Sequence, residues 1–580
     1  MRCRAWIPSI LAMLLAATAA AQHEGHPQGH PEDGSGAQVG QVHFPVSCNE
    51  AAQEEFDRAV AMLHSFWYEE AGKAFAAVAA ADSSCAMAHW GVAMSFYHPL
   101  WFPPSAAELE KGRAAASKAK EIGGKTDREN AFIAAINTFY RDADRLDHKT
   151  RALAYEKAME AVHVSYPKDR EASAFYALAL ISTAPPTDRT FANQKKAAAI
   201  LDAIAEEAPG HPGVYHYSIH AYDTPELAPL ALKAARGYAK VAPAVPHALH
   251  MPSHIFTRLG LWPESIDSNV ASAKAARDFA ARARMAGVWD QELHALDYLE
   301  YAYLQRGDDA RALAVLDRVR QVRAVDPQNV IAAFALSAVP ARYVIEGRRW
   351  EEAASLSLSP ADFPWKNFGI AEAMTRWARA MGAVQQGRLD SVREEVEALG
   401  SLRNSVKGQA GYDWSIAIEI LRLEAAAWLA HAGGDGAGSA TTLREAADLE
   451  DSTQKHPVTP GAIVPAREQL ADLLLAIGRP ADALAEYEKS LASAPNRFNG
   501  LVGAARAARK AGDAGRAGGY YGRLIAISDA SSRRPELDEA RKFLRGGKST
   551  SKTRTGELRS PEPTVVSPSP RGVVAARGGL

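Results

Sequence analysis

Apolar residues recur at steps of three and four positions along most of the chain, which is the spacing of one face of an α-helix. The alternation of apolar and polar residues that marks a half-buried strand is nearly absent. Short breaks separate the periodic segments, namely DTPE at 223–226, APAVP at 242–246, LGLWPE at 259–264 and RGDD at 306–309. Glycine, proline and aspartate in such breaks end one helix and start the next. The pattern predicts an all-α protein whose helices are connected by short turns.

The helices follow a repeat that is clearest near the C-terminus. Within AREQLADLLLAIGRPADALAEYEKSLASAPNR (466–497), Gly478 ends one helix and Tyr487 lies on the next. Gly512 and Tyr521 repeat them at one common interval, from 478 to 512 and from 487 to 521. The same rhythm is found with looser spacing around four further glycines, Gly260, Gly307, Gly347 and Gly387. A fixed period of this length is typical of helical repeat arrays.

In this period the chain resembles the tetratricopeptide (TPR) superfamily, most clearly over 466–530 and 211–325. The resemblance implies a right-handed TPR-like helical solenoid, in which neighbouring helix pairs cover each other's apolar faces. It also implies that the first helix of each pair lines the concave side. The chain further resembles exported bacterial TPR proteins with HSFWY-, HPLW- and PHALHMPSHIF-like segments. This second resemblance implies a fold and no particular reaction.

The N-terminal segment has the pattern of a secretory signal. Arg2 and Arg4 precede an apolar run that is too short for a comfortable membrane span, and the alternative is a retained anchor. Small residues at Ala19 and Ala21 predict cleavage after Ala21. We therefore expect a secreted or periplasmic protein that has no membrane span once the signal is removed.

Export changes how the cysteines are interpreted. Cys3 leaves with the signal, so that Cys48 and Cys85 remain. Two cysteines in an oxidising compartment predict one disulfide, and two buried free thiols are the alternative. Thiolate-bound zinc is not expected, because the sequence contains no CxxC motif.

These patterns divide the chain into seven predicted segments. Both ends are low in apolar residues and are expected to be disordered, and His23, His26 and His30 near the start form a weak potential metal-binding tract. The segments are a signal peptide at 1–21, a flexible His/Gly/Pro-rich leader at 22–42, divergent helical repeats at 43–205, repeats with clustered histidines at 206–325, degenerate helical repeats at 326–455, C-terminal TPR repeats at 456–535 and a disordered basic tail at 547–580.

Histidines concentrate in the segment PHALHMPSHIF (246–256), which holds three of the 18 histidines in the chain. Aligned on the repeat glycine, three successive first helices carry His, Asp or Tyr at matching positions. Steps of three, four and seven residues return to the same side of a helix, so each set shares one face. The resemblance implies that this face lines the concave groove. The candidate site residues are His216, His220, His247, His250, His254, His294 and Asp297, with Arg258 and Tyr301 as secondary candidates.

Three interpretations of this cluster remain open. Imidazoles with one carboxylate form a nitrogen and oxygen ligand set for zinc, copper, nickel or iron. Without a metal, the same groove would bind a small ligand or a peptide, with Arg258 facing an acidic or phosphorylated group. Alternatively, the histidines form a structural hydrogen-bond network that orders the packed helices. Asp223, just before Thr224 and Pro225, is interpreted as the cap of the next helix, and His64 as part of an aromatic core.

The net charge and the absence of several catalytic motifs limit which functions we expect. A formal net charge of −2 and a pI near 6.8 do not favour nucleic acid as a partner. HExxH, GxSxG, Walker and GxGxxG motifs are absent from the sequence. We expect an exported repeat protein that binds a protein or peptide partner, or a small ligand, through its concave face. The alternatives are a metal-dependent hydrolase or oxidase that uses the His/Asp cluster, and a scaffold with structural histidines.

Overall fold

The computed structural model describes residues 38–100, 103–408 and 412–552, with side chains up to residue 546. Helices connected by short turns make up almost all of this part of the chain. Its two strands, β1 (Val288–Trp289) and β2 (Val325–Asp326), are two residues long and pair in parallel. The predicted all-α, TPR-like array is therefore confirmed.

The first half of the array contains thirteen helices among the described residues, and a 3-10 turn at Ala228–Ala231 precedes the tenth. Their bounds are α1 (Glu50–His64), α2 (Tyr68–Ala81), α3 (Ala86–Ser95), α4 (Ala106–Ile122), α5 (Asp127–Tyr140), α6 (His148–Ser165), α7 (Arg170–Thr183), α8 (Ala192–Glu207), α9 (Pro212–Tyr222), α10 (Leu232–Val241), α11 (Pro246–His250), α12 (Pro252–Arg258) and α13 (Trp262–Ala283).

The second half contains thirteen more, with a 3-10 turn at Trp365–Asn367 before the eighteenth. They are α14 (Asp290–Gln305), α15 (Asp309–Arg320), α16 (Val330–Glu346), α17 (Trp350–Ala354), α18 (Gly369–Gln385), α19 (Leu389–Val406), α20 (Trp414–Ala432), α21 (Gly436–Ser452), α22 (Ala466–Ala476), α23 (Pro480–Ser493), α24 (Phe498–Lys510), α25 (Ala514–Ile527) and α26 (Pro535–Lys552).

The repeat glycines end helices by adopting a left-handed backbone conformation. The φ angle is 63° at Gly260, 65° at Gly307, 80° at Gly478 and 84° at Gly512. A glycine pays no steric penalty there because it has no Cβ atom, which explains why the sequence repeat is marked by this residue. Gly347 is the exception, since its φ is −83° and the next residue, Arg348, takes the left-handed position with a φ of 54°.

Close packing between neighbouring helix pairs also depends on glycine. A Cβ atom at Gly503 on α24 would lie 2.2 Å from the ring of Tyr487 on α23. The absence of that atom lets α23 and α24 approach until the tyrosine ring lies against the backbone. Two apolar clusters among the described residues follow this stacking, one from Trp262 to Ile463 and one from Ile420 to Ala540.

The N-terminal repeats are tied by the predicted disulfide, which the structure confirms between Cys48 and Cys85. The leader prediction is too long at its C-terminal end. Residues 38–42 pack on the body because Val39 is buried and the Gln41 amide donates to the Gly210 carbonyl at 2.9 Å. The basic tail was also predicted to begin too early, since α26 continues to Lys552. The predicted signal peptide and most of both tails lie outside the described residues. No helix in the described ranges is long and apolar enough to cross a membrane.

Repeats that are distant in the chain contact each other through long-range hydrogen bonds. The segment between α21 and α22, residues 453–465, takes part in these contacts, and we call it the inner segment. The Tyr298 hydroxyl on α14 donates to the Thr459 carbonyl at 2.9 Å, and the Trp262 indole donates to the Asn496 carbonyl at 2.8 Å. These contacts were not predicted, because the repeat pattern contains no information about a non-helical segment from a distant part of the chain.

Candidate metal centre

The six candidate histidines lie on four helices of the array, α9, α11, α12 and α14. Helix α9 carries His216 and His220, one turn apart. Pro252 interrupts the next helix, which is divided into α11 and α12 at Met251. Because proline supplies no amide donor, this break lets the two pieces present their imidazoles at different angles. The remaining histidines are distributed as His247 and His250 on α11, His254 on α12 and His294 on α14.

Three of them form the first cluster, which we call trio A: His216, His220 and His247. Their Nε2 atoms converge on His216, with 3.1 Å to His220 and 3.1 Å to His247. The other ring nitrogen of His216 donates to the backbone carbonyl of His64 at 2.6 Å. A carbonyl oxygen only accepts, so this bond fixes the tautomer and leaves Nε2 with a lone pair directed at the cluster.

The other three form trio B: His250, His254 and His294. The Nε2 atoms of His250 and His254 are 3.0 Å apart, and the ring of His294 lies 4.2 Å from that of His250 between centroids. The two trios are neighbours, since ring centroids of His220 and His254 are separated by 6.3 Å. The array therefore gathers six imidazoles into two adjacent groups of three.

The outer nitrogens of trio B decide which inner nitrogens carry a proton. His250 Nδ1 donates to Asn269 Oδ1 at 2.7 Å, and the amide of Asn269 is oriented by its own donation to the Ser265 carbonyl at 2.8 Å. His254 Nδ1 donates to the carboxylate of Asp223 at 2.9 Å. A neutral imidazole has one N–H, so both Nε2 atoms are left as acceptors.

Two lone pairs facing each other at 3.0 Å repel unless a proton or a cation lies between them. Protonation is opposed by the surroundings, because burial first and the neighbouring His254 second lower the pKa of His250 well below its usual value, and the hydrogen bond to Asn269 offsets this only in part. Burial also lowers the pKa of His254. In a tetrahedral site, nitrogens bound at about 2.05 Å from an ion are about 3.3 Å apart, close to the observed spacing. The geometry of trio B therefore fits a metal cation better than a proton.

The whole cluster is withdrawn from water. Five of the six imidazoles are at most 5% exposed, and His220 is half-buried. Burial lowers the pKa of His216 to about 3 and the pKa of His220, His247 and His294 well below the usual range. The six imidazoles are consequently neutral at physiological pH, which is the form that binds metal ions.

Aromatic rings cover each trio. Phe66, just after α1, packs edge-on against His216 with 4.3 Å between centroids and stacks on His220 at 5.7 Å. Tyr298 covers trio B, with its ring 4.7 Å from that of His250 and its hydroxyl bound to the inner segment. These apolar walls keep the local dielectric low and exclude bulk water from both groups.

Asp223 joins the cluster to the inner segment. Its carboxylate accepts from His254 Nδ1, from Arg258 Nε at 2.8 Å and from Lys455 Nζ at 3.1 Å. Burial raises the pKa of this carboxyl, but Lys455 and Arg258 more than offset that effect, so that the pKa lies well below its usual value. The sequence-based interpretation of Asp223 as a helix cap was wrong, because the residue ends α9 and orients a histidine of trio B.

Two candidate residues lie outside the trios. Asp297 forms a buried ion pair with Arg342, and the Glu300 carboxylate is 3.7 Å from the same guanidinium. Tyr301 accepts a hydrogen bond from Arg497 Nη1 at 3.0 Å. Both follow His294 on the face predicted from helical periodicity, but α14 is buried on all sides, so residues one turn further along contact a different part of the molecule.

A third group, close to trio A, is built around the carboxylate of Glu171. Glu171 accepts from His64 Nε2 at 2.8 Å and from His211 Nε2 at 3.0 Å, and its carboxylate charge is held by these donors. The other ring nitrogen of His64 lies 2.8 Å from the Tyr217 hydroxyl. This arrangement holds the end of α1, whose carbonyl orients His216, and is a positioning element for trio A.

Several functional residues could not be found from the sequence. Asn269 and Lys455 are polar residues in a helix and in a loop, with no special spacing relative to the histidines. Tyr298, by contrast, follows His294 by one helical turn, which is a spacing that would have placed both on one face of α14. The sequence assigned His64 to an aromatic core, and its ring does stack on Phe175. The sequence did not indicate that the backbone carbonyl of His64 accepts a hydrogen bond from His216.

A partly open cavity of about 630 Å³ has Asp223 in its lining. We call it the inner cavity. Its walls come from α12, α14, α16, α18 and α20 and from the inner segment. Asp223, Arg258 and Lys455 line one end, whereas Trp377 and Trp414 line the rest. None of the six histidines is among its lining residues in the described part of the chain.

Comparisons with known proteins support a fold of helical repeats and give no information about function. No protein-family profile matches the chain, and no curated protein matches its sequence. Among solved structures, the chain is similar to yeast Tom70 (11% identity, 87% of this chain and 97% of that chain covered, TM-score 0.33). It is also similar to human IFIT1 in a dimer with m7Gppp-AAAA (12% identity, 80% and 90% covered, TM-score 0.33). A structure of Naa15/Naa10 bound to HypK-THB gives 12% identity, 87% and 92% coverage and a TM-score of 0.25. Superpositions at these scores carry no argument about function.

Proposed function

We propose that this protein binds two transition-metal ions inside its repeat array, one at trio A and one at trio B. The observation that carries the proposal is the 3.0 Å contact between His250 Nε2 and His254 Nε2, two acceptors whose outer nitrogens are already committed. Three imidazoles per ion suit zinc, copper or nickel, and leave a position for water or an added ligand.

The hydrogen bonds behind the histidines support the same conclusion. Metal-binding histidines characteristically donate their other N–H to a carboxylate or a carbonyl, which fixes the tautomer and raises the basicity of the ligand. His216 has a backbone carbonyl in this role, His250 an amide oxygen and His254 a carboxylate. A purely structural network would leave two inner acceptors facing each other without a donor.

The test counts ions in the full chain. His23, His26 and His30 are first changed to Gln, so that the leader contributes no ions. The protein is stripped with a chelator and dialysed separately against Zn²⁺, Cu²⁺ and Ni²⁺. We expect two ions per chain for at least one metal, and one after His250→Gln with His254→Gln.

His163→Gln is the matched control, because His163 lies on α6 and its ring bonds to Ser173. This variant should keep two ions. Binding of less than 0.2 ion per chain for all three metals in the folded protein would end the proposal. An equal count in the double variant would show that the ions bind elsewhere.

Export is part of the proposal, and two features support it. The segment 1–21 has the composition of a signal, and a disulfide between Cys48 and Cys85 is a bond that persists in oxidising compartments. A protein exported in this way takes up its metal outside the reducing cytoplasm. Mass spectrometry of the mature protein should give an N-terminus at Gln22, and an intact Met1 in the mature protein would contradict export by this route.

A partner protein would bind on the outer surface of the array. Repeat arrays commonly offer extended surfaces for partners. Since five of the six imidazoles are at most 5% exposed, a bound peptide would not reach the trios. The metal sites and any partner surface are therefore separate features of this molecule.

A further inference from the structure

The inner cavity has the properties of a binding site for a small organic molecule. At about 630 Å³ it lies within the range of pockets that enclose ligands of drug size. Its walls are mostly aromatic and aliphatic. The Trp414 ring lies 4.7 Å from the ring of Tyr412 and 6.1 Å from that of Phe334, which together form one continuous aromatic wall. A flat unsaturated molecule would pack well against such a wall.

One end of the inner cavity has an excess of positive charge. Two cations, Arg258 and Lys455, share the single carboxylate of Asp223, and all three side chains are at most 15% exposed. The charge sum of this group is therefore +1. At the rim, the Arg189 guanidinium donates to the backbone carbonyl of Asp451 at 2.6 Å. This contact does not neutralise the positive charge of Arg189, because a carbonyl oxygen carries no full charge. An anionic group entering this end would be attracted and would find donors.

We propose that the inner cavity binds an aromatic organic anion, with its acidic group at Arg258 and Lys455 and its ring against Trp414. Because the histidines do not line this cavity, the proposal is independent of metal binding. The chain would then bind an aromatic acid beside a metal centre, with Asp223 in contact with both.

The test compares two dyes that share one aromatic body. 8-Anilinonaphthalene-1-sulfonate carries a sulfonate, and N-phenyl-1-naphthylamine is the same molecule without it. In the folded, metal-free protein we expect the anion to bind at one site per chain. Lys455→Met should weaken binding of the anion by about tenfold or more, the effect of one lost hydrogen bond to a charged group, and change the neutral dye by less than twofold.

Two further variants complete the design. Trp414→Leu should weaken both dyes, because it removes part of the wall that they share. Lys366→Met, at an exposed position outside the cavity, should change neither. Equal loss of both dyes in Lys455→Met, or no loss of either, would overturn the assignment of the charged end. Binding at several sites per chain would overturn the cavity as the site.

A competition experiment uses the unmodified protein, so its result does not depend on whether the variants fold. Indole-3-acetate and indole-3-acetamide differ in charge and hardly in shape. The acetate should displace the dye at a concentration at least tenfold lower than the amide, since its carboxylate meets the excess positive charge. Equal potency of the two, or no displacement by either, would refute the proposal without any substitution.

Discussion

At the scale of single residues, the centre depends on which nitrogen of each imidazole carries its proton. Asn269 and Asp223 make this choice for trio B, because each accepts the Nδ1 proton of one histidine. The backbone carbonyl of His64 does the same for trio A. Residues that never touch a metal therefore control whether the inner nitrogens are able to bind one.

Replacement of Asn269 by leucine tests this control. Leucine has nearly the same shape and cannot accept the His250 proton. We expect affinity for the metal at trio B to fall about 10- to 100-fold, with the ion at trio A retained. Competition against a chelator of known affinity measures the change. Asn404→Leu on the exposed surface of α19 serves as the control, and a full loss of both ions in Asn269→Leu would point to misfolding instead.

The neutral histidines also predict a pH dependence of stability in the metal-free protein. The pKa of His250 and of His254 is lowered in the folded state, so the unfolded chain takes up protons first as pH falls through about 6.5. Their stabilising contribution is complete above that pH and is lost below it. Each residue contributes a slope of up to about 1.4 kcal/mol per pH unit.

The comparison that isolates this effect is between the metal-free protein and its His250→Gln, His254→Gln variant. Other buried groups cancel in the difference, including Asp290, whose pKa is raised to about 7 by burial. The free energy of unfolding of the unsubstituted protein, relative to the variant, should fall by about 1–3 kcal/mol per unit between pH 6.5 and 5.5. Chemical denaturation at the two pH values measures it, and parallel curves would mean that these imidazoles already carry protons when folded.

At the scale of elements, a glycine on a packed helix face and a glycine on an open helix face affect stability in opposite directions. Gly503 lies under the Tyr487 ring, whereas Gly519 on α25 has open space where a Cβ atom would be. Gly503→Ala should cost about 1–3 kcal/mol through overpacking. Gly519→Ala should add about 0.5–1 kcal/mol through helix propensity. Thermal unfolding of both variants measures these changes, and a neutral Gly503→Ala would show that α23 and α24 have room to separate.

The elements were largely predictable from the sequence, and the centre only in part. The period of Gly478 and Gly512 identified the helix pairs because an αL turn recurs at each helix end. The same alignment matched His216 with His250, whereas the structure assigns them to different trios, since the break at Pro252 turns His247 back towards α9. Asp297 followed the helical period, but its partner Arg342 lies on another repeat. Long-range partners of this kind leave no local signal.

At the scale of the whole molecule, buried charges hold distant hairpins of the second half together. Arg497 at the start of α24 is fully buried and pairs with Glu346 at 2.5 Å and Glu468 at 2.8 Å. These partners lie on α16 and α22. One guanidinium therefore connects three separate hairpins, and its removal would leave two carboxylates facing each other in a dry interior.

Arg497→Met should accordingly lower the free energy of unfolding by about 3–5 kcal/mol. Denaturant titration measures the loss. Adding Glu346→Gln and Glu468→Gln to the same chain should recover part of it, because the stranded charges are then removed. Arg523→Met, at an exposed position on α25, should stay within about 0.5 kcal/mol. A small effect of Arg497→Met would mean that water reaches this pair.

The contacts between distant repeats also limit how this array is able to evolve. The carboxylate of Asp309 binds Arg534 at 2.6 Å, and the Trp262 indole meets the Asn496 carbonyl, although both pairs join distant parts of the chain. In an open solenoid, a hairpin is gained or lost by duplication or deletion with little effect on its neighbours. Here, an added or deleted hairpin between α15 and α23 would move every one of these contacts out of register. The number of hairpins in that stretch is therefore fixed, and growth of the array is confined to its ends.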